Sequence, residues 1–177
     1  MNREEATLRD IGLGPKERKP SSTPGFTFLW ILIGCYTVGF IGAEASMRGL
    51  GGWYEAITKP SWAPPNWAFS PIWTVLYGCL SVACWMVFRE TGYPSRRPAL
   101  ILFWIQLVVN GLWPFFFFMW HRLVFGLIDL VVLDLLLVVC LLVMRLVRGS
   151  SALLMLPYLA WSIFATVLNL VMWKLNR

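Results

Sequence analysis

Charge is what this sequence has least of. Of its 177 residues only 14% are Asp, Glu, Lys or Arg, and there is one histidine, His121. A lone imidazole with no second ligand nearby is a weak metal signal. A Ser or Cys nucleophile would find no histidine base inside the apolar runs, so nucleophilic catalysis has no support either. The four cysteines, Cys35, Cys79, Cys84 and Cys140, all fall within apolar runs and show no CxxC or Cys/His spacing. That pattern excludes a disulfide framework or a zinc site and leaves small buried thiols. Lys and Arg outnumber Asp and Glu by 15 to 9, yet they are scattered between apolar runs and build no continuous stripe, so nucleic acid is not the partner. No nucleotide-binding motif and no inverted repeat stands behind an active transporter.

What the chain has in excess is hydrocarbon. It is 58% hydrophobic, with a mean hydropathy of +0.66. A water-soluble domain of this size leaves too much surface exposed to hide so much apolar area, and the bilayer is the solvent that accepts it. Spanning the hydrocarbon takes about 20 mainly apolar residues. Stretches at 26–47, 69–88, 99–120, 123–147 and 152–175 meet that length. Each must be helical, because an isolated span in lipid satisfies its backbone in no other way. The expected fold is therefore an all-α membrane protein, a bundle of five transmembrane helices spread over 26–177. Residues 1–25 mix Glu4, Glu5, Asp10 and Glu17 with basic residues and add Gly12, Gly14, Pro15, Pro20 and Pro24. This matches neither a signal peptide nor an acid-poor transit peptide and is expected to be a disordered polar tail.

Ten of the fifteen basic residues lie in the tail, at 89–97 or at Arg145 and Arg148, and five (Arg48, Lys59, Arg122, Lys174, Arg177) on the opposite side. In a simple plasma membrane the positive-inside rule puts the amino terminus in the cytoplasm and the first loop outside.

That first loop is the most informative stretch. Pro60, Pro64, Pro65 and Pro71 fix φ and remove donors, so it is expected to be stiff and folded at the interface. Its rings, Trp53, Tyr54, Trp62, Trp67 and Phe69, form either an interfacial belt or a lid over a flat apolar ligand. Within the spans, aromatics and amides recur at helical spacing. Phe69, Trp73 and Tyr77 share one face of the second span, Gln106, Asn110 and Trp113 one of the third, and Trp161, Ala165 and Leu168 one of the fifth. Amides avoid lipid by facing the interior, where they bond a neighbouring helix or a ligand. Pro114 is expected to release a carbonyl near Asn110 and bend the third span. Asp129 and Asp134 are five apart, about 140° around a helix, and cannot form one carboxylate pair. Cys35, Gly39 and Ala43 give the first span a small face, for a neighbouring helix or a second copy.

The run WYEAITKPSWAPPNWAFSPIWTVLY, with QLVVNGLWPFFF and PYLAWSIFATVLN following in order, resembles the signature blocks of the translocator protein (TspO/MBR, peripheral-type benzodiazepine receptor) family over roughly residues 30–175. The resemblance implies a five-helix bundle, usually a homodimer, in a mitochondrial outer membrane or a bacterial envelope membrane. It implies binding of porphyrins such as protoporphyrin IX or haem, and of sterols, beneath the first loop, with no required cofactor. Carried over residue by residue, the ligand contacts it implies are Ala43, Tyr54, Phe69, Ile72, Trp73, Gln106, Asn110, Trp113, Trp161, Ala165 and Leu168. Phe125 stands where some members have Trp. Asp129 falls where animal members carry an acid and is expected to face protein. His121 is a poor haem ligand for the reason given above. The function expected is that of a receptor or translocator. The rival readings are a sterol or tetrapyrrole transporter and an enzyme that degrades bound porphyrin in light and oxygen, with Trp73 and Trp161 as reactive indoles.

Overall fold

A computed structural model describes residues 25–177. The disordered tail expected over 1–25 lies outside them, apart from Gly25, which opens the first helix. Among the described residues there is no strand, and five helices are long and apolar enough to cross a membrane. They are α1 (Gly25–Leu50), α3 (Asn66–Arg89), α4 (Arg96–Pro114), α5 (Leu123–Val147) and α6 (Gly149–Leu175), with a short α2 (Trp53–Ala56) in the first loop. The chain is a multi-pass integral membrane protein. Neighbouring helices close a ring in the order α1, α3, α6, α5, α4 and back to α1.

The helices outrun the apolar stretches because backbone hydrogen bonding continues through interfacial polar residues. Asn66, Arg96 and Gly149 each begin a helix three residues before the hydrocarbon run. Pro114 does more than bend its helix. It ends α4, and the chain continues as a π-helix over Phe115–Met119, closed by Trp120 N–H donating to the Phe115 carbonyl at 2.8 Å. Wider turns of this kind absorb the disruption caused by a missing donor. His121 follows with φ 55°, which reverses the chain into α5.

Polarity is arranged inside out relative to a soluble bundle. Val131, Leu135, Val138 and Leu142 form an exposed apolar row on α5, while Ser81, Gln106, Asn110, Asp129, Ser162 and Asn169 are buried. Lipid solvates the first set at no cost, whereas an orphaned polar group in lipid costs several kcal/mol. Some buried polar groups have specific partners, whereas Gln106, Ser162 Oγ and Asp129 Oδ2 have none among the described residues. Ser81 Oγ donates to the Tyr77 carbonyl at 2.7 Å, and Thr166 Oγ1 donates to Asp134 Oδ2 at 2.7 Å. Two residues of the small face of α1 pack within the chain, while Ala43 is exposed. Cys35 is buried, and Gly39 lies flat against the Tyr77 ring, 2.6 Å from where a Cβ would stand.

Candidate functional site

The first loop is held at three points, which makes it a roof rather than a tether. Trp53 stacks on His121 with centroids 4.5 Å apart and meets Phe117 edge-on at 5.6 Å. Thr58 N–H donates to Asn176 Oδ1 at 2.9 Å, and Asn176 Nδ2 returns a bond to the Thr58 carbonyl at 2.8 Å. Trp62 lies edge-on to Phe164 at 5.7 Å. Lys59 Nζ donates to the Tyr54 carbonyl at 2.9 Å and sits 4.5 Å over its ring, so a cation caps the aromatic roof. Burial raises the pKa of the Tyr54 hydroxyl, which keeps it neutral.

The reciprocal Thr58–Asn176 pair is exposed, so its two bonds together are worth only about 0.5–1.5 kcal/mol. Asn176→Ala should therefore speed amide exchange over 57–63 by roughly 2–10-fold without unfolding the bundle. Hydrogen-exchange mass spectrometry reads this directly, and unchanged protection would mean the loop is held by its rings alone.

Beneath the roof are two adjoining compartments. The inner one is a small chamber of about 10 Å³, walled by rings from the loop, α3, α4, the π-helix and α6. The outer one is a cleft of about 380 Å³ between α1 and α3, backed by α4. Phe69, Trp73, Trp113 and Phe118 line both and form the partition.

This division sorts the residues proposed from the sequence. Tyr54, Trp161, Ala165 and Leu168 line the chamber, and Ala43 and Asn110 line the cleft. Phe69, Trp73 and Trp113 belong to both. Three residues lie elsewhere. Ile72 packs half-buried against the core. Gln106 is fully buried, lines neither compartment, and leaves both amide atoms without a partner. Its spacing from Asn110 puts the two on one helix face, but one turn deeper the bundle has closed. Phe125 points outward at 55% exposure, so the aromatic wall expected there is supplied by Phe117, Phe118 and Phe164 instead. Asp129 is buried among protein.

Asn169 was not among the sequence-derived site residues, although an amide one turn beyond Ala165 in an apolar span was the available signal. It lines the chamber. With its amide turned to satisfy its neighbours, Asn169 accepts from Trp113 Nε1 at 3.2 Å and donates to the Leu123 carbonyl at 3.0 Å. It thereby fixes the partition indole to the start of α5, where Gly126 leaves room for the amide, 2.9 Å from where a Cβ would stand.

These features define a five-helix membrane protein with an aromatic, loop-roofed cavity inside the bundle. The TspO/MBR family profile matches residues 29–174, and the chain belongs to that family. It is 34% identical to the tryptophan-rich protein TspO of Archaeoglobus fulgidus, over 82% of this chain and 94% of that protein. It is 36% identical to the translocator protein of Bos taurus, over 78% and 83% respectively. To protein CrtK of Rhodobacter capsulatus it is also 36% identical, over 76% and 85%.

Proposed function

We propose that this protein is a receptor or translocator for planar apolar ligands of the tetrapyrrole class, bound in the chamber beneath the first loop. One observation carries the reading: Tyr54, Phe69, Trp73, Trp113 and Trp161, from four different elements, converge on one enclosed space. Rings converging from separate elements stack on a flat conjugated molecule in a way that an interfacial belt cannot. The chamber is small, about 10 Å³, and Phe69 and Trp73 form its movable side. Phe69 and Trp73 have the cleft behind them, although Trp73 also stacks on Tyr77 at 5.6 Å, whereas Trp161 has no cleft behind it and is stacked on Phe164 with centroids 5.2 Å apart. Entry of a ring system therefore displaces Phe69 and Trp73 and leaves Trp161 as the fixed face.

Sterols are the weaker ligands in this reading. The resemblance implies a sterol motif with a tyrosine near the end of the last helix, and Leu170 occupies that position in Leu168-Asn169-Leu170-Val171-Met172-Trp173-Lys174. The test is to titrate purified protein with protoporphyrin IX, haem and cholesterol while following tryptophan fluorescence. Protoporphyrin should saturate at the lowest concentration and cholesterol at the highest. Saturable submicromolar cholesterol binding with no response to porphyrin would overturn the assignment.

A further inference from the structure

α1 is the least covered of the five spans. Of its most apolar 18 residues 17% are buried, against 33–39% in the other four. Ile31, Cys35, Gly42, Ala45 and Gly49 are its buried residues, and the opposite face looks into lipid. On that face Trp30, Ile33, Thr37, Ile41, Glu44 and Arg48 follow one another at three- or four-residue spacing, and all six are exposed. Residues so spaced form one stripe along a helix.

Glu44 does not belong in hydrocarbon alone. It lies six residues, about 9 Å at helical rise, before the end of α1 at Leu50, inside the apolar stretch 26–47. Among the described residues neither Glu44 nor Arg48, one turn further on, makes an ion pair or a side-chain hydrogen bond. An acidic side chain within a span is costly in lipid and ordinarily faces a partner. Arg48 is nearer the interface and long enough to reach it, whereas the shorter Glu44 is not.

The stripe itself states what partner fits. A second copy, inserted in the same sense, carries the same two charges at the same depth. A two-fold axis along the membrane normal lays its α1 alongside in parallel, and residue i then meets j wherever j meets i. Each Glu44 is offset from the partner's Arg48 by one turn, about 6 Å along the axis, which the long guanidinium side chain spans. The four charges cancel across the seam, and each carboxylate gains a charge-assisted donor. A helix of another protein would need both charges at this depth and this spacing.

We propose that the outer face of α1 is the seam on which a second copy of this chain docks, closed by reciprocal Glu44–Arg48 ion pairs. Phe40 and Met47 flank the face at 67% and 69% exposure, and both also line the α1–α3 cleft. The second copy therefore lies along the edge of the cleft. None of the stripe lines the chamber, so the seam stands whatever the chamber binds.

The test uses the full chain in proteoliposomes, with Cys79→Ser removing the one thiol that is not buried, and copper phenanthroline as oxidant. Thr37→Cys, in the middle of the stripe, should give a disulfide-linked dimer, and Val131→Cys, on the exposed row of α5, should not. Adding Glu44→Arg or Arg48→Glu to Thr37→Cys leaves each seam with charges of one sign and should cut the crosslinked fraction roughly tenfold. Reconstituting the two charge variants together should restore it, because one chain then supplies both acids and the other both bases. A pair closed within one helix could not be restored by mixing, and the recovery also shows that both variants are folded. Crosslinking through Val131→Cys instead, charge variants that crosslink as well as their parent, or a mixture no better than either variant would each overturn the proposal. So would a protein that stays monomeric throughout, which would leave the face to a helix of another protein.

Discussion

Replacing Gly49 with alanine is expected to destabilise the bundle, although in an isolated helix the same change is favourable by about 1 kcal/mol. Gly49 lies in the last turn of α1, where that helix crosses the π-helix, and a Cβ there would overlap the Phe118 carbonyl. The obstruction is backbone, held on both sides by the α4 and α5 connections, so no rotamer change relieves it. Overpacking of this kind costs about 1–3 kcal/mol even where side chains can yield, which outweighs the propensity gain. The damage should also reach the site, since Phe118 lines both compartments. Gly34 provides the contrast. A Cβ there would come within 2.8 Å of Trp104 Cη2, the far end of a side chain that is 38% exposed and can swing into lipid. Denaturation in mixed micelles, followed by far-ultraviolet circular dichroism, should show an early midpoint for Gly49→Ala and a nearly unchanged one for Gly34→Ala. Equal midpoints for the two would show that the α1 crossing is plastic.

The architecture was legible because it rests on one dominant quantity. Five apolar stretches of spanning length leave helices as the only solution, and the α5 boundaries read from hydropathy coincide with those observed, 123–147. The other boundaries fall short where polar residues extend a helix into the interface, since hydropathy measures the lipid contact and not the hydrogen-bond ladder. Side-chain direction was legible only within one helix. Helical spacing places Gln106 on the face of Asn110, but whether a cavity lies in front of it depends on how α1, α3 and α5 approach α4, which spacing along α4 does not encode. Phe125 failed for a related reason. The resemblance transferred a residue type, while the π-helix before it determines which aromatics turn inward. The partition between chamber and cleft was invisible for the same cause: its four rings come from three segments separated by up to 49 residues, Phe69 to Phe118.

The chamber reading stands on one substitution more than on any other. Trp161→Ala is expected to weaken protoporphyrin binding by about 1–3 kcal/mol, the sum of a lost ring stack and lost apolar contact, or roughly 5–150-fold in Kd. An opposing effect has to be weighed, because deleting an indole beside a chamber of about 10 Å³ also makes room. Room is not what Trp161 withholds. Phe69 and Trp73 already have a cleft of about 380 Å³ to retreat into, so the ligand gains space by moving them, and alanine at 161 removes the stacking face opposite them. Trp161 also meets Phe69 edge-on at 6.3 Å, and losing that contact would loosen the partition without restoring a stacking surface. Trp161→Phe keeps a smaller ring against Phe164 and should fall between wild type and alanine. Trp113 gives the complementary comparison, since Asn169 anchors its indole N–H: Asn169→Leu keeps the volume, frees that indole, and should weaken binding less than Trp161→Ala does. Tryptophan fluorescence titrations of the four proteins, each checked for native helicity, would give the ordering. Tighter or unchanged binding by Trp161→Ala would mean that the tetrapyrrole does not stack in the chamber, and the loop-roofed site would lose its assignment.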